Sequence, residues 1–211
     1  MKNRVSLIIN IIIAVIVPVV WGMMMLNLFP GQLTASGLRS LRYFTVLSNL
    51  FCGAMAVVYL ISTRLCTRSA PQKVQILKYA AAVSVGLTFT VVVVFLSRLY
   101  GFIPMFTGVG FWMHLIVPVL AMIDFCLFDG HGPIPFKLTP LAVVPMFLYG
   151  IYYVSNLLIN GIGEWPNTND WYGFAQNGMQ YAALAFAVVA VVTWLIALIL
   201  RKLSRKGSSV V

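Results

Sequence analysis

The chain has 211 residues, of which 61% are hydrophobic and only 9% are charged. A typical soluble domain is about 25% charged, so the composition excludes one and predicts an integral membrane protein. The formal net charge of +10 is expected to reflect basic loops between membrane spans, and we expect no nucleic-acid partner.

Six stretches are long and apolar enough to cross the hydrocarbon core, which takes about 20 helical residues. They predict an all-α fold, a single domain of six transmembrane helices (spans 1 to 6) at roughly residues 6–28, 41–62, 75–97, 110–128, 138–160 and 177–200. Span 1 follows two basic residues, as a signal peptide does, but its apolar run continues to Leu28 without a small-residue cleavage site. We therefore expect a retained helix.

The basic residues are divided unequally between the two sides of these spans. With the N-terminus inside, only three fall outside, namely Arg39, Arg42 and Arg98. The eleven assigned to the cytoplasmic side are Lys2, Arg4, Arg64, Arg68, Lys73, Lys78, Lys137, Arg201, Lys202, Arg205 and Lys206. Because cytoplasmic loops carry the excess of Lys and Arg, this asymmetry predicts that both termini are cytoplasmic.

A polar stripe begins span 2. Thr45, Ser48 and Asn49 follow one another at spacings of three and four residues, so they share one face of a helix. Lipid offers these groups no hydrogen-bonding partners, which predicts that they face a lined cavity or a helix interface. Ser, Thr and Asn also hydrogen-bond neighbouring helices in membranes, and that alternative stays open.

Other polar residues are predicted at a similar depth, near the outer ends of spans 4, 5 and 6. They are His114, about one turn into span 4, then Asn156 and Asn160, and Gln180. Polar groups that gather at one depth predict a cavity in the outer half of the bundle.

Asp124 lies about 15 Å further along span 4 than His114, at 1.5 Å of rise per residue. This separation argues against a direct Asp–His couple. We expect an interfacial or pairing carboxylate near the cytoplasmic end, although an acid within a membrane span is also a functional candidate.

Several chemistries lack their motifs. The chain contains no HExxH, GxSxG or Walker sequence, and its three cysteines, Cys52, Cys66 and Cys126, have no zinc, thioredoxin or disulfide spacing. We expect no metal and no cofactor. What remains is a hydroxyl and an imidazole at matched depth, a pair that performs acyl transfer when His removes the proton of Thr.

That pair predicts a catalytic site made of Thr45 as nucleophile and His114 as general base. Groups that bind the substrate or stabilise the oxyanion would come from the same end of the bundle. The candidates are Arg42, Ser48, Asn49, Asn156 and Gln180.

Two segments resemble a known family. Arg42-Tyr-Phe-Thr-Val-Leu-Ser-Asn49 at the start of span 2 and Phe111-Trp-Met-His-Leu-Ile-Val-Pro118 at the start of span 4 resemble the androgen-induced and androgen-dependent multi-span membrane hydrolases and their six-helix bacterial relatives. The resemblance implies hydrolysis of fatty acid esters of hydroxy fatty acids by Thr45 and His114. The chain differs from the eukaryotic members at Ser48–Asn49 and in the loop from Glu164 to Gly173.

From the resemblance we expect a multi-pass protein of a bacterial inner or plasma membrane, with a fatty-acyl ester substrate and membrane lipids as its partners. The competing interpretation is a protein without catalytic activity that binds or transports lipid in the same cavity. The sequence leaves the oligomeric state open.

Overall fold

The computed structural model describes residues 2–28, 36–65, 70–129, 133–164 and 168–208. All regular secondary structure in these ranges is helical. The predicted six spans are confirmed, because six helices are long and apolar enough to cross a membrane: Arg4–Met25, Phe44–Thr63, Gln72–Tyr100, Phe111–Phe128, Phe136–Asn160 and Met179–Ser204.

Several spans combine more than one kind of helix. The α-helices are Lys2–Met25, Phe44–Leu65, Gln72–Val91, Ser97–Tyr100, Phe102–Met105, Val117–Ile123, Val144–Asn160 and Met179–Ser208. Wider π-helical turns occupy Val92–Leu96, Phe111–Ile116 and Asp124–Phe128, and the tighter 3-10 helices are Gly37–Arg42 and Phe136–Ala142. Span 4 thus has a π-helical turn at each end, a feature that is frequent at functional sites.

Contacts between the spans show that consecutive spans run antiparallel. The starts of spans 1, 3 and 5 meet the ends of spans 2, 4 and 6 at one end of the bundle, which we call the Lys78 end. Three contacts join them there: Ser6 to Tyr59, Lys78 to Asp124, and Arg201 to Ile134.

The opposite end, which we call the Thr45 end, brings together the starts of spans 2 and 4 and the end of span 5. Asn49 of span 2 donates to the carbonyl of Met113 in span 4 at 3.0 Å. Tyr149 of span 5 donates to the carbonyl of Arg42, just before span 2, at 2.6 Å.

Span 3 is the central helix. In its most apolar stretch 56% of the residues are buried, whereas the corresponding share in span 6 is 17%. The buried part runs without a break from Lys78 to Thr88 and is rich in Ala, Gly and Ser, small residues that let helices approach closely in a membrane. Span 6 therefore lies at the periphery, where its apolar side chains face the lipid.

Lys78, which the sequence pattern assigns to the cytoplasmic side, is enclosed within the bundle. It is 6% exposed and belongs to the buried part of span 3. Its ammonium is buried because it lies 2.6 Å from Asp124, on span 4. Asp124 is accordingly the pairing carboxylate expected, and it is fully enclosed instead of interfacial.

Candidate active site at the Thr45 end

Thr45 lies in the first turn of span 2, which begins at Phe44. Its side chain is partly exposed. Its carbonyl accepts hydrogen bonds from Ser48 and Asn49, whereas its hydroxyl bonds to no group in the described part of the chain. Thr45 therefore has an accessible hydroxyl on an otherwise tightly bonded helix turn.

Asn49 connects this turn to span 4. Its Nδ2 donates to the carbonyl of Thr45 at 2.7 Å and to that of Met113, the residue before His114, at 3.0 Å. Because both bonds share one nitrogen, they hold the backbone at Thr45 close to the backbone that precedes His114. Both N–H groups of the amide are used, so Asn49 positions the site and has no free donor for an oxyanion.

Ser48 faces the central helix. Its Oγ lies 3.1 Å from the carbonyl of Thr45 and 3.0 Å from Oγ1 of Thr88 in span 3. Ser48 thus makes a hydrogen bond between helices, the alternative role left open for this stripe.

His114 lies in the π-helical turn that begins span 4, and its side chain is buried. Its Nδ1 is 2.8 Å from the carbonyl oxygen of Met105. A carbonyl only accepts hydrogen bonds, so the proton of the neutral imidazole is on Nδ1. Nε2 then carries the lone pair, which is the arrangement that a general base requires.

Gly110 makes room for this hydrogen bond. A Cβ at this position would lie 2.5 Å from the oxygen of Met105 and 3.2 Å from Nδ1 of His114. Any side chain larger than hydrogen would push these two groups apart. The glycine is therefore required by close approach and not by its backbone angles, which are helical.

The other predicted site residues have different surroundings. Asn156 contacts the carbonyl of Asn169 at 3.4 Å, and Gln180 is exposed at the start of span 6. Arg42 has its guanidinium 5.7 Å from the centre of the Trp171 ring. The structure brings together Thr45, Ser48, Asn49 and the backbone next to His114, but no hydrogen bond in its described part joins Thr45 to His114.

Aromatic residues cover the start of span 2, a feature that the sequence analysis did not predict. This aromatic cap consists of Tyr149, Tyr153, Trp171, Tyr172 and Phe174, whose rings pack mostly edge to face. Its signals in the sequence are the four-residue spacing on span 5 and the Trp-Tyr-x-Phe run that follows Asp170.

Two hydroxyls fasten the cap to the backbone beside Thr45. Tyr172 accepts a hydrogen bond from the N–H of Phe44 at 2.8 Å, satisfying a donor that has no partner within the first helical turn. Tyr149 accepts from the indole of Trp171 at 3.0 Å and donates to the carbonyl of Arg42. Burial raises the pKa of Tyr172 to about 12, so this hydroxyl stays neutral at physiological pH.

Asp170 organises the loop that carries the cap. It is 2% exposed and accepts hydrogen bonds from the hydroxyl of Tyr153 and from the N–H groups of Phe174 and Ala175. The loop from Glu164 to Gly173 is where the sequence differs from the eukaryotic members of the resembled family, and in the structure its Asp170 carboxylate is a buried structural group. Trp165 of the same loop lies outside the described residues.

A groove lies at the Lys78 end. It measures about 270 Å³ and is lined by Gln72, Gln75, Ile76, Pro133, Ile134, Pro135 and Leu138. It is therefore distinct from the cavity predicted beside Thr45, which stays a prediction.

Comparison of the chain with protein-family models, with curated proteins and with solved structures gave no match in any of the three. The resemblance to the androgen-induced family thus remains a prediction based on the two short segments around Thr45 and His114. The function is therefore inferred from the geometry at the Thr45 end.

Proposed function

We propose that the protein hydrolyses a lipid ester within the membrane, with Thr45 as nucleophile and His114 as general base. The observation that carries the proposal is the hydrogen bond from Nδ1 of His114 to the carbonyl of Met105. It assigns the lone pair to Nε2 and orients the ring, as a general base needs.

In the first half of the proposed reaction, Nε2 of His114 takes the proton of the Thr45 hydroxyl as the oxygen attacks the ester carbonyl. The tetrahedral intermediate collapses, the alcohol leaves with the proton from His114, and an acyl-threonine remains. In the second half water attacks this ester while His114 accepts a proton from it, and His114 then returns the proton to the Thr45 oxygen as the acyl–oxygen bond breaks and the acid is released. Hydrogen bonds of this kind are often long without substrate, consistent with the unbonded hydroxyl of Thr45.

Arg42 is the donor that we assign to the substrate. Its guanidinium packs on Trp171 and makes no hydrogen bond within the described residues, whereas both N–H groups of Asn49 are used. An arginine here is suited to the oxyanion, or to the free carboxylate of a fatty acid ester of a hydroxy fatty acid, the substrate suggested by the resemblance.

We also propose that the Lys78 end faces the cytoplasm of a bacterial-type inner or plasma membrane, because it carries most of the basic residues. The Thr45 end and the aromatic cap would then lie outside. A cysteine at Gln176, an exposed position of the cap loop, should react with an impermeant thiol reagent in intact cells after Cys66→Ser. Labelling that requires permeabilised cells would contradict this orientation.

The reaction is tested with a fluorophosphonate probe on detergent-purified protein. We expect the parent protein and Ser48→Ala to be labelled and Thr45→Ala not to be labelled. Thr90→Ala is the matched control, because Thr90 is another partly buried threonine that bonds only to its own helix, at the carbonyl of Gly86. Equal labelling of Thr45→Ala and the parent would exclude Thr45 as nucleophile and favour the interpretation as a lipid-binding or transport protein.

A further inference from the structure

The connection between spans 3 and 4 is apolar, exposed and adjacent to His114. Phe102 and Ile103 are 63% and 75% exposed, and the sequence from Leu99 to Ile123 contains no Asp, Glu, Lys or Arg. Single apolar side chains are normal on a surface, whereas a contiguous and uncharged apolar patch marks a site where another molecule or a membrane binds.

The chain reverses direction at Gly101, so this connection folds back along span 3. The span ends at Tyr100, and Gly101 has a φ of +87°, in the left-handed region that favours glycine. The helical turn Phe102–Met105, which we call the Phe102 turn, then lies alongside the π-helical turn Val92–Leu96. It is therefore level with the last turns of the membrane span instead of extending beyond them.

The backbone of the Phe102 turn is suited to an environment without water. The carbonyl of Ile103 accepts a hydrogen bond from the N–H of Phe106 at 3.1 Å. The carbonyl of Pro104 accepts one from the hydroxyl of Thr107 at 3.3 Å, and the proline itself has no N–H to satisfy. Because lipid offers backbone groups no partners, these internal hydrogen bonds allow the turn to lie in the membrane.

Lipid acyl chains are the partner that fits this surface. Val94 and Phe95 of the adjoining π-helical turn are also exposed, and exposed apolar side chains of a membrane span face acyl chains. Phe102 and Ile103 extend this lipid-facing surface, and the ring centres of Phe102 and Phe106 lie 4.5 Å apart. A partner recognised through charge would meet no counter-charge in this segment.

The inner side of the same turn holds the candidate base. Met105 is 5% exposed, and its carbonyl accepts the hydrogen bond from Nδ1 of His114. Ile103 and Met105 belong to one helical turn, so a movement of the exposed side chains also moves this carbonyl. The orientation of the imidazole therefore depends on where Phe102 and Ile103 are held.

We propose that Phe102 and Ile103 insert among the acyl chains at the Thr45 end, and that this contact with lipid keeps the Met105 carbonyl on Nδ1 of His114. The base is then oriented when the protein lies in a bilayer, the phase that also presents a long-chain ester to Thr45. This last point rests on the proposed hydrolysis, whereas the insertion of the Phe102 turn does not depend on it.

Insertion is tested with an environment-sensitive fluorophore on the full chain in lipid nanodiscs. The label is attached to Ile103→Cys in a Cys66→Ser background, because Cys52 and Cys126 are buried. A nitroxide on the lipid acyl chain should quench the label, and a water-soluble nickel chelate should not. Glu164→Cys is the matched control, because an exposed carboxylate at the same end of the bundle belongs in water. Its label should show the reverse pattern.

The coupling to the base is measured by nitrogen NMR of the imidazole in a His131→Gln background, where His114 is the remaining histidine. Ile103→Ser should shift the signal away from the Nδ1-protonated form and lower kcat/KM for a long-chain ester by about 10-fold, as expected of a misplaced catalytic group. Phe102→Ser should have the same two effects. Ile159→Ser is the matched control, because Ile159 is 80% exposed at the Thr45 end of span 5, and it should change neither readout.

The proposal is overturned if the lipid nitroxide quenches the Ile103 label no more than the Glu164 label. Protection of the Ile103 label from both quenchers would indicate a second copy of the chain on this surface and would overturn it as well. Unchanged imidazole signals in both Ile103→Ser and Phe102→Ser would contradict the coupling to His114. Quenching by lipid and a shifted imidazole signal without any ester hydrolysis would support the lipid contact and reject the proposed hydrolysis instead.

Discussion

The two ends of the bundle treat their polar groups in opposite ways. At the Lys78 end, charged side chains of span 3 and of the end of span 4 are enclosed and bound to one another, and Asn10 of span 1 donates a further hydrogen bond to them. At the Thr45 end, the polar residues of the stripe on span 2 are neutral, and Thr45 is partly exposed with a hydroxyl that bonds to no described group. Membrane helices hide polar groups wherever they can, so the Lys78 end holds the helices together while the Thr45 end has groups left for a ligand.

The largest expected effect is the loss of catalytic rate in variants that change the Thr45 end alone. Because a general base contributes about 10²–10⁴-fold to a reaction rate, His114→Ala should lower kcat/KM for a long-chain ester by about 10³-fold. Thr45→Ala and the double variant should fall to a similar residual level, since the two groups act as a unit. Turnover assays together with thermal unfolding in detergent check this, and additive losses in the double variant would contradict a shared step.

The next largest effect is the loss of stability in a variant that changes the Lys78 end alone. Lys78→Met should reduce the stability of the bundle by about 3–5 kcal/mol, the usual cost of removing one partner from a buried ion pair. Lys73→Met is the matched control in the same helix, because Lys73 is exposed. Denaturant titration in mixed micelles measures the difference in unfolding free energy between the two variants. Equal unfolding curves would contradict a structural role for the buried ion pair of Lys78 and Asp124.

A smaller effect tests whether the hydrogen bond between His114 and Met105 orients the imidazole ring. Gly110→Ala should lower kcat by about 10-fold, because its Cβ displaces His114 from Met105 and misplaced catalytic groups lose rate. Gly22→Ala is the control, since a Cβ at Gly22 meets nothing within 4 Å. A Gly110→Ala variant with unchanged kcat and an unchanged imidazole NMR signal would show that the bond does not orient the base.

The smallest effect concerns the aromatic cap. Tyr172→Phe removes the acceptor for the N–H of Phe44 and should cost about 1 kcal/mol of stability, typical of one hydrogen bond. Tyr152→Phe, at an exposed tyrosine of span 5, should cost much less. Thermal unfolding of the two variants side by side measures the difference. Identical shifts in melting temperature would contradict the structural role of the Tyr172 hydroxyl.

The six spans were predictable because a run of about 20 apolar residues is a strong local signal. The pairing of Lys78 with Asp124 was not, since the two residues are far apart in the chain and each has an ordinary explanation near a helix end. The π-helical turn around His114 also leaves no mark in the hydropathy pattern. The length of an apolar run can be seen in one stretch of sequence, whereas the partners of polar side chains depend on which helices pack against each other.

The same contrast applies to the candidate site. The spacing of Thr45, Ser48 and Asn49 shows that they share a face of span 2. Their different roles depend on the groups that they contact: Ser48 hydrogen-bonds to Thr88, and Asn49 donates to the carbonyl of Met113. Asp170 and Tyr172 gave no functional signal, because an acidic and aromatic loop is common at a membrane interface.

The central position of span 3 has a consequence for how the protein enters the membrane. Lys78 emerges from the ribosome before Asp124, and a lysine in a membrane helix costs about 2.5–3.5 kcal/mol to insert at the helix centre. The apolar stretch that follows Lys78 outweighs this cost, but the ammonium has no carboxylate partner until span 4 arrives. We therefore expect spans 3 and 4 to leave the translocon as a pair, so that a chain truncated after span 3 is integrated less completely than one truncated after span 4.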